Sequence, residues 1–413
     1  MEHKKIKNKA ILLIGGGVLQ FYSISIARAK GLEVFLADGS EKCYCKNFVD
    51  KFFCIDTKNY IEITKLSLDL KKNFNLVAIY TQGTDVSYTV SYAAKKCNFY
   101  GLKPIIAKSI ENKILMRQKL KNTKLGNVNF FIIKKDLDLF RIEKKIKYPV
   151  YVKPADNCAS RGIKKVKNFK EMKAAYIIAK ESSIYSKEVL VESAIEGVEY
   201  SVDTIVYNKK VINCGISDRN FIKNSLYSIQ SGSTTPSSLS RKTQIKMINL
   251  MQEAAKIFNI NNSAFKGDLI LDNKNNVKII ELATRTSGGF DAQVRKPCSF
   301  GIDIISATMD LAINNNLDYH ELIPKWIKWS RTISVFPNKG KVIKILGLEW
   351  LKKQKYIVDK KIFVKKGSMI NKLYDSGSRT NFITIIASDI NQLNVREKAI
   401  RSNFKIIVNG ELR

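Results

Sequence analysis

The sequence predicts a mixed α/β and α+β fold, and three observations support this prediction. Apolar runs alternate with amphipathic segments over residues 10–105, which is typical of parallel strands joined by crossover helices. Half-buried strand patterns and an acidic hairpin follow over residues 187–310, and short strands around one helix fill residues 330–413. A length of 413 residues is sufficient for two or three domains, and 45% apolar content is typical of globular proteins.

Residues 1–107 are expected to form an N-terminal α/β unit of Rossmann-like type. Its strands are predicted over 10–16, 32–38, 48–56 and 76–81, with helices over 23–31 and 86–97. Gly15, Gly16 and Gly17 at the first strand–helix turn would suit an anion at a helix N-terminus. Asp38 has the spacing of a ribose ligand, but Gln20 replaces the third glycine of a dinucleotide fingerprint. A substrate-holding loop, or glycines that only allow tight packing, is the favoured interpretation.

Residues 108–186 are expected to form a second unit with a flap. A helix over 109–120 carries Lys113, and strands are predicted over 130–135 and 148–156, the second of which delivers Lys153. The polar loop 157–162 then leads into a returning strand. This pattern is compatible with a flap that folds over phosphates or with an ordinary hairpin turn.

Two further units complete the predicted organisation, over residues 187–320 and 321–413. The first has strands over 188–195, 199–207 and 211–217, a loop over 231–238, and helices over 241–258 and 301–313. The second has strands over 334–337, 341–347, 356–364, 382–388 and 404–408, with a helix over 390–402. The Asp85 side chain, after the strand at 76–81, is either a helix cap or a substrate contact, and the helix cap is the favoured interpretation.

The acidic hairpin over 265–271 and 277–289 gives the most specific functional signal. With a turn at 273–276, Asp268 lies opposite Glu281, with β-carbons about 4.5–5.5 Å apart. Two carboxylates that close repel unless a cation lies between them, and oxygen ligands suit Mg²⁺. Arg285 and the Gly288–Gly289 pair follow, as a fork for anionic oxygens and a backbone that a ligand can approach. The alternative is a solvated strand pair followed by an ordinary loop.

Composition excludes several classes of function. The net charge of +34 comes from lysines spread over the whole chain, a pattern that suggests codon bias more than a nucleic-acid surface. Seven scattered cysteines argue against a disulfide framework, and two histidines argue against zinc sites and triad hydrolases. Without a run of eighteen apolar residues or a signal segment, the expectation is a cytoplasmic protein with no membrane span.

The order of these segments resembles the ATP-grasp superfamily, and specifically its carboxylate–amine ligase branch, which includes carbamoyl-phosphate-synthetase-like and L-amino-acid-ligase-like proteins. The segments that carry the resemblance are YPVYVKPAD with the SRG loop, VLVESAIEGVEYSVD, and the pair GDLIL and IIELATRTSGG. The resemblance covers nearly the whole chain. It implies an ATP-grasp fold with lobe A over 108–186, lobe B over 187–320 and a small C-terminal lid over 321–413. Homodimers are common in this branch.

The resemblance also implies roles for matching residues. Arg285 and Lys153 would be catalytic, and Asp268 and Glu281 would hold Mg²⁺, with Mn²⁺ as an alternative ion. ATP would contact the phosphate-binding cations, the flap, the adenine hinge and a ribose ligand, at Lys113, Lys153, Ser160, Gly162, Glu192, Ser193, Ala194, Ile195 and Glu199. Small-molecule substrates would contact Arg219, Ser233, Gly288 and Gly289, within loops at 83–88, 217–236 and 286–296.

Three departures from the family pattern bear on these roles. Ala283 stands where many members carry an asparagine, which leaves the number of Mg²⁺ ions open. Ser233 stands where a histidine is frequent, and the flap has Gly162 as its only glycine.

The implied reaction is phosphoryl transfer from ATP to a carboxylate, followed by attack of an amine on the acyl phosphate. Solvent would be excluded by the 157–162 flap and the lid. Whether a general base is used is open. Two alternatives remain: a carboxylase-type enzyme that activates bicarbonate, and a nucleotide-binding protein without catalysis.

Overall fold

The computed structural model describes residues 8–158, 160–222, 229–371, 373 and 376–409. Its N-terminal unit is a parallel sheet of four strands in the order β3-β2-β1-β4, with helices packed on it. The elements of this unit are β1 (Lys9–Ile14), α1 (Gln20–Ala29), β2 (Glu33–Asp38), β3 (Lys51–Cys54), α2 (Tyr60–Asn73), β4 (Asn75–Tyr80) and α3 (Ser87–Lys96). The predicted parallel strands are confirmed.

The helix predicted over 109–120 is two helices, α4 (Pro104–Glu111) and α5 (Lys113–Leu120). Asn112 separates them with an extended ψ of 115°, and its side chain accepts hydrogen bonds from the Ile114 and Leu115 N–H groups. This is an N-cap, which favours Asn strongly. The break orients the start of α5, and therefore Lys113.

A four-stranded antiparallel sheet in the order β5-β8-β6-β7 follows. Its elements are β5 (Phe130–Ile133), α6 (Asp136–Glu143), β6 (Val150–Pro154), β7 (Lys164–Val166), α7 (Phe169–Ser182) and β8 (Val189–Ser193). Helix α7 packs on this sheet through Met172, Ala175 and Ala179, all fully buried.

An eight-stranded antiparallel sheet forms the largest part of the molecule, in the order β13-β12-β9-β10-β11-β14-β18-β16. Its first part comprises β9 (Gly197–Tyr207), β10 (Lys210–Phe221), β11 (Gln230–Thr235), α8 (Arg241–Phe258), β12 (Ser263–Asp272) and β13 (Val277–Ala283). A π-helical turn (Asp291–Arg295), α9 (Lys296–Phe300) and α10 (Ile304–Asn314) follow. The predicted helix over 241–258 is confirmed in its bounds.

The prediction of a loop over 231–238 is wrong, because residues 230–235 are strand β11 at the centre of this sheet. The strand is polar in sequence, and yet its Ser233, Thr234 and Thr235 side chains are buried. Hydrogen bonds satisfy them, for example between the Thr235 and Ser217 hydroxyls at 2.7 Å. Strand patterns based on apolar residues miss such a segment.

The C-terminal part adds the remaining strands and two helices. These are β14 (Trp329–Ile333), β15 (Gly340–Leu346), α11 (Leu348–Lys353), β16 (Ile357–Ile362), β17 (Met369–Ile370), β18 (Asn381–Ala387), α12 (Ile390–Asn403) and β19 (Lys405–Val408). The strand predicted over 334–337 is displaced, since β14 ends at Ile333. Because β14, β16 and β18 continue the large sheet, the C-terminal residues are joined to the preceding unit by backbone hydrogen bonds.

Among the described residues, no helix is both long and apolar enough to cross a membrane.

Candidate functional site

A cleft lies between the four-stranded sheet and the strands β9, β10, β12 and β13 of the large sheet. Ten of the sixteen predicted site residues line it. They are Lys113, Lys153, Ser160, Glu192, Ser193, Ile195, Glu199, Arg219, Asp268 and Glu281. Residues up to 168 positions apart, from Lys113 to Glu281, therefore share one cleft.

A buried charge cluster closes one wall of the cleft. The Glu192 carboxylate on β8 accepts a hydrogen bond from Arg117 Nε at 2.6 Å and lies 2.6 Å from Lys153 Nζ. Arg117 also donates to the carbonyl oxygens of Ile279 and Ile280, and so fixes strand β13 against helix α5.

The Glu192 side chain is bound to two cations, and its backbone is paired in the sheet, opposite Phe130 on one side and Tyr151 on the other. The structure therefore places Glu192 in the wall of the cleft rather than at an adenine hinge.

The sequence interpretation missed Arg117, although a signal was present. Arg117 follows Lys113 by four residues, so that both side chains lie on one face of a helix. In the structure, Lys113 is 5% exposed and Arg117 is 3% exposed. Cations are rarely buried to this degree unless they are paired.

The two cations lower the pKa of Glu192 to about 2, against the opposing effect of its burial. A lowered carboxyl pKa gives stability that is present above the unfolded value near 4.5 and is lost as the pH falls toward 2. We expect the unfolding free energy of the wild type to fall by roughly 3 kcal/mol across this window, at 1.36 kcal/mol per pKa unit. Glu192→Gln should be less stable at neutral pH and show a flatter profile between pH 5 and 2. Urea unfolding at a series of pH values measures the unfolding free energy of both proteins.

Glu253→Gln, which changes an exposed glutamate paired with Lys256, is the matched control and should leave the acid dependence unchanged. If Glu192→Gln lost stability with falling pH as steeply as the wild type, the lowered pKa of Glu192 would not be the cause of the acid dependence.

The hinge segment at 193–195 is partly engaged by the protein itself. The Ser193 N–H donates to Asn129 O, and the Ala194 N–H donates to Pro149 O, both at 3.0 Å. Ser193 and Ile195 line the cleft, whereas Ala194 does not. Contacts of this segment with a base would therefore involve its carbonyl oxygens and the Ile195 N–H.

The acidic hairpin has the predicted register, with Asp268 on β12 directly opposite Glu281 on β13. Both carboxylates are neutralised by cations of the protein. Lys266 Nζ and Arg219 Nη1 lie 2.7 and 3.2 Å from the Asp268 oxygens, and Lys113 Nζ lies 2.9 Å from Glu281 Oε1. These cations lower the pKa of Asp268 despite its burial.

The paired carboxylates fit a hard divalent cation. Within the described ranges, no group of three or more His, Cys, Asp or Glu side chains could hold a metal. Two carboxylates are nevertheless sufficient for Mg²⁺, which usually keeps water and phosphate oxygens as its other ligands. A nucleotide in the cleft would supply those oxygens.

Glu199 and Arg219 form a second pair at the cleft. Arg219 Nη1 donates to Glu199 Oε2 at 2.9 Å, and its guanidinium lies over the Phe221 ring. Burial raises the pKa of Glu199 in spite of this arginine. Ser233 is directly opposite Arg219 in the sheet, but it is 2% exposed and its hydroxyl donates to Asp218 O. The structure thus places Ser233 below the cleft surface.

Arg285 is bound by Asp85, two hundred residues earlier in the chain. Its Nε and Nη2 atoms lie 2.8 and 2.6 Å from Asp85 Oδ1, and Nη1 donates to the Thr286 carbonyl oxygen. The interpretation of Asp85 as a helix cap is wrong, because α3 begins at Ser87 after Val86 without a side-chain cap. Asp85 instead positions Arg285 beside the Glu281 end of the cleft.

The flap residues close the cleft from the side of β6. Ser160 lines the cleft, and Gly162 has a φ of +71°, a left-handed conformation that favours glycine. A β-carbon at Gly162 would lie 2.6 Å from the Ser182 side chain. The carbonyl of Asn157 accepts a hydrogen bond from Lys113 Nζ at 2.6 Å, which ties the start of the flap to the cleft floor. Ala159, within the predicted flap, lies outside the described residues, as do 223–228 of the predicted 217–236 loop.

The Gly288–Gly289 segment lies above a buried ionic network and does not line the cleft. Lys296 Nζ lies 2.6 Å from Asp203 and 2.9 Å from Asp291, and Arg295 donates to the Gly289 carbonyl oxygen. A β-carbon at Gly83 would lie 3.4 Å from the Gly288 α-carbon, so the 83–88 loop contacts this segment. Two of the three predicted substrate loops therefore meet.

Asp38, which has the sequence spacing of a ribose ligand, binds the protein's own backbone. Its carboxylate accepts hydrogen bonds from the Gly16 and Ser40 N–H groups. The Asp38 carboxylate is therefore bonded to the glycine turn itself. This contact argues against the dinucleotide interpretation, in which Asp38 would bind a ribose.

A small cavity, here called the acidic chamber, adjoins the cleft behind Lys113 and Glu281. Its lining includes Asp85, Glu111 and Asp156. Glu111, at the end of α4, accepts a hydrogen bond from the Tyr88 N–H. Burial, with a further contribution from the Asp85 charge, raises the pKa of Glu111 to about 7.

A raised carboxyl pKa gives stability that is complete below the unfolded pKa and is lost as the pH rises through the folded value. Glu111 should therefore cost roughly 3 kcal/mol of unfolding free energy between pH 4.5 and pH 8, at 1.36 kcal/mol per pKa unit. We expect Glu111→Gln to flatten this dependence and to be more stable than the wild type above pH 7. Chemical unfolding from pH 4.5 to 8, with the exposed Glu181→Gln as control, checks this. If the unfolding free energy changed with pH equally steeply in the wild type and in Glu111→Gln, a raised pKa of Glu111 would be excluded.

Comparison with known proteins identifies the domain that contains the cleft. Residues 146–293 match the ATP-grasp domain family. Two D-alanine–D-alanine ligases of Prochlorococcus marinus are 26% and 28% identical to this chain. The first alignment covers 69% of this chain and 90% of the ligase, and the second covers 52% and 70%.

Solved structures share the fold over almost the whole chain. The L-amino acid ligase from Bacillus licheniformis is 19% identical, with a TM-score of 0.84 over 98% of this chain and 100% of that chain. The phosphoribosylglycinamide synthetase from Anaerococcus prevotii is 21% identical, with a TM-score of 0.74 over 97% and 100%. Biotin carboxylase from Campylobacter jejuni is 18% identical, with a TM-score of 0.73 over 97% and 92%. The predicted ATP-grasp fold is confirmed.

Proposed function

Because residues 146–293 match the ATP-grasp domain and the relatives are D-alanine–D-alanine ligases, we propose that this chain is an ATP-grasp ligase that joins two amino acids. The reaction would form an amide bond with release of ADP and phosphate. The amino-acid substrates follow from the curated relatives, which are named as D-alanine–D-alanine ligases.

One observation carries the proposal: the opposed Asp268–Glu281 pair lies in a cleft that also contains Lys113, Lys153 and Arg219. Cations surround a carboxylate pair that suits a divalent ion. This combination is appropriate for the triphosphate of ATP, whose negative charge must be neutralised before phosphoryl transfer.

The first step would transfer the γ-phosphoryl group of ATP to a carboxylate oxygen of the first substrate. The bond between the γ-phosphorus and the bridging oxygen of ADP breaks, and a bond from phosphorus to the carboxylate oxygen forms. Lys113 and Lys153 would neutralise the phosphates, and Arg285 would stabilise the transferring group. Asp85 would hold the Arg285 guanidinium in place for this.

Asp268 and Glu281 would hold Mg²⁺. When bound, the ion would neutralise phosphate oxygens of the nucleotide. The ion pairs of the two carboxylates with Lys266, Arg219 and Lys113 would have to loosen in exchange.

The second step would form the amide. The amine nitrogen attacks the acyl carbon, the bond to the phosphate oxygen breaks, and the nitrogen loses a proton. Arg285 would bind the tetrahedral oxyanion. The N–H groups of Gly288 and Gly289 lie outside the cleft, and the segment would have to move toward it before they could contribute. The flap around Ser160 and Gly162, with the C-terminal residues 321–413 as a lid, would exclude water from the acyl phosphate.

The remaining residues of the cleft would bind the base and ribose of the nucleotide and the acceptor substrate. Ser193 and Ile195, which line the cleft, would contact the adenine through backbone groups, and Glu199 would bind the ribose hydroxyls. Arg219 would turn from Glu199 to the acceptor substrate.

ADP release from ATP and Mg²⁺ over a grid of carboxylates and amines tests the proposal. We expect release that requires both an amino-acid carboxylate and an amine, and that is lost in Glu281→Ala. Stimulation by bicarbonate alone would instead support a carboxylase, the activity of one structural neighbour. ATP binding without turnover for any pair would contradict the ligase.

A further inference from the structure

Lys266 on strand β12 is a largely buried cation to which the proposed function gives no catalytic role. Its side chain is 13% exposed, and its ammonium nitrogen lies 2.7 Å from Asp268 Oδ1. Lys266 and Asp268 are two residues apart on one strand, so their side chains lie on the same face of the sheet. This face also carries Glu281, directly opposite Asp268. Lys266 is therefore part of the carboxylate hairpin that would hold Mg²⁺.

The residue opposite Lys266 in the hairpin is an alanine. Ala283 on β13 is the register partner of Lys266 and lies two residues after Glu281. A polar side chain at position 283 would lie on the same face as Glu281 and could supply a third ligand to the carboxylate pair. Alanine has no ligand atom. The hairpin therefore has a positive charge, from Lys266, next to the position where a further metal ligand would stand.

The two oxygens of the Asp268 carboxylate have different surroundings. Oδ1, next to Lys266, is fully buried, whereas Oδ2 lies 3.2 Å from Arg219, a residue that lines the cleft. An ion that enters from the cleft would therefore meet Oδ2 and Glu281. Its charge would loosen the contact between Lys266 and Asp268 without displacing Lys266, because Oδ1 lies away from the cleft surface.

The charges around the hairpin argue against a second divalent ion beside the first. Such an ion would need Asp268 Oδ1 as a bridging ligand, and this oxygen already faces an ammonium group. Like charges a few ångströms apart repel strongly in a buried site. Asp203 on β9, the other register partner of Lys266, is bound to Lys296. Within the residues that the structure describes, no third His, Cys, Asp or Glu side chain joins the pair as a metal ligand.

The charge of Lys266 also acts on the Arg285 end of the cleft. The pKa of Asp85 is lowered against the effect of its burial, first by Arg285 and further by Lys113 and Lys266. Asp85 in turn holds the Arg285 guanidinium. Lys266 is thus close to the place assigned to the transferring phosphoryl group, where a fixed positive charge would stabilise the transition state.

We propose that the site binds a single divalent ion with its nucleotide, at Asp268 and Glu281, and that the Lys266 ammonium group provides the positive charge that a second ion would supply. One metal ion, Lys266 and Arg285 together would then neutralise the transferring phosphoryl group. This assignment rests on the proposed phosphoryl transfer, and it adds the number of ions and the role of Lys266.

Counting bound ions tests the proposal without catalysis. The probe is Mn²⁺, whose free form is measured by electron paramagnetic resonance. It is titrated into a mixture of protein and a non-hydrolysable ATP analogue, with the protein in excess so that little nucleotide is free. We expect one Mn²⁺ per nucleotide in the wild type. Lys266→Met with Ala283→Asn removes the ammonium group and adds a ligand, so we expect two in this double variant.

Steady-state rates test the role of the ammonium group. Lys266→Met should lower kcat for ADP formation about a hundredfold and still bind one Mn²⁺ with the nucleotide, which a general loss of structure would not allow. Lys266→Arg keeps the charge and should recover part of the rate. Lys278→Met, which changes a lysine of β13 that pairs with Asp272 outside the cleft, is the control and should keep the wild-type rate.

Two Mn²⁺ ions per nucleotide in the wild type, or a single ion in the double variant, would overturn the single-ion assignment. An unchanged kcat in Lys266→Met would overturn the role of the ammonium group. Failure of the ligase function is a different result, since it would be seen as the absence of ADP release for all substrate pairs. The number of ions on the bound analogue would then still be measured independently.

Discussion

Replacement of Arg285 by methionine is expected to reduce the rate of ADP formation about a thousandfold. The guanidinium is fixed by two contacts with Asp85 and one with the Thr286 carbonyl oxygen. Donors positioned for a developing negative charge contribute about 10²–10³ in rate, and arginines on transferring phosphoryl groups can contribute more. Steady-state kinetics with saturating ATP measures the loss, which should appear in kcat.

Loss of activity through unfolding must be separated from loss of chemistry. Arg285→Met leaves the partly buried Asp85 carboxylate, which is 22% exposed, without its cation, and this should lower stability. The double variant Arg285→Met with Asp85→Asn removes that charge, and should regain stability without regaining activity. Arg28→Met, which changes an exposed arginine paired with Asp50, is the control. Recovery of activity in the double variant would refute a role for Arg285 in the reaction.

Asp268→Asn is expected to lower activity by about three orders of magnitude and to raise the Mg²⁺ concentration needed for half-maximal rate. Charge stabilisation by a bound metal contributes several kcal/mol to phosphoryl transfer, and in the proposed site it would depend on two carboxylates. Glu281→Gln should behave in the same way. A titration of activity against Mg²⁺ at fixed ATP provides both values.

Asp272→Asn provides a matched control at the end of the same strand. Asp272 accepts hydrogen bonds in the 273–276 turn and lies outside the cleft. It should retain the wild-type dependence on Mg²⁺. If Asp268→Asn changed kcat without any change in Mg²⁺ dependence, the metal assignment would be wrong.

Much of the fold could be predicted because local patterns determine it. The 241–258 helix shows the apolar spacing of an amphipathic helix, and the Asn-rich turn at 273–276 sets the register that pairs Asp268 with Glu281. The parallel N-terminal strands follow from apolar runs separated by helices. These features depend on neighbours in sequence.

The errors share a physical cause, which is tertiary context. Residues 231–238 are polar and contain proline, but the buried hydroxyls of Ser217 and Ser299 stabilise strand β11 through Thr235. The break at Asn112 interrupts a pattern that is helical on both sides. At both places, a specific hydrogen bond outweighs the secondary structure that the composition of the segment favours on average.

The candidate site shows the same limit. The family resemblance assigned Lys113, Lys153 and the Asp268–Glu281 pair to one site, and these residues line one cleft. The Asp85–Arg285 pair spans two hundred residues, and the Arg117–Glu192 pair spans seventy-five, so no local pattern reveals either. The raised pKa of Glu111 arises from burial between units and is equally invisible in the sequence.

If the enzyme activates a carboxylate as an acyl phosphate, one carboxylate oxygen must leave with the released phosphate. One amino-acid substrate is labelled with heavy oxygen in its carboxylate, and the phosphate released during turnover is analysed by mass spectrometry. We expect one labelled oxygen per phosphate, because the carboxylate oxygen attacks the γ-phosphorus and leaves with it. Phosphate without label, formed together with the amide product, would exclude an acyl phosphate intermediate.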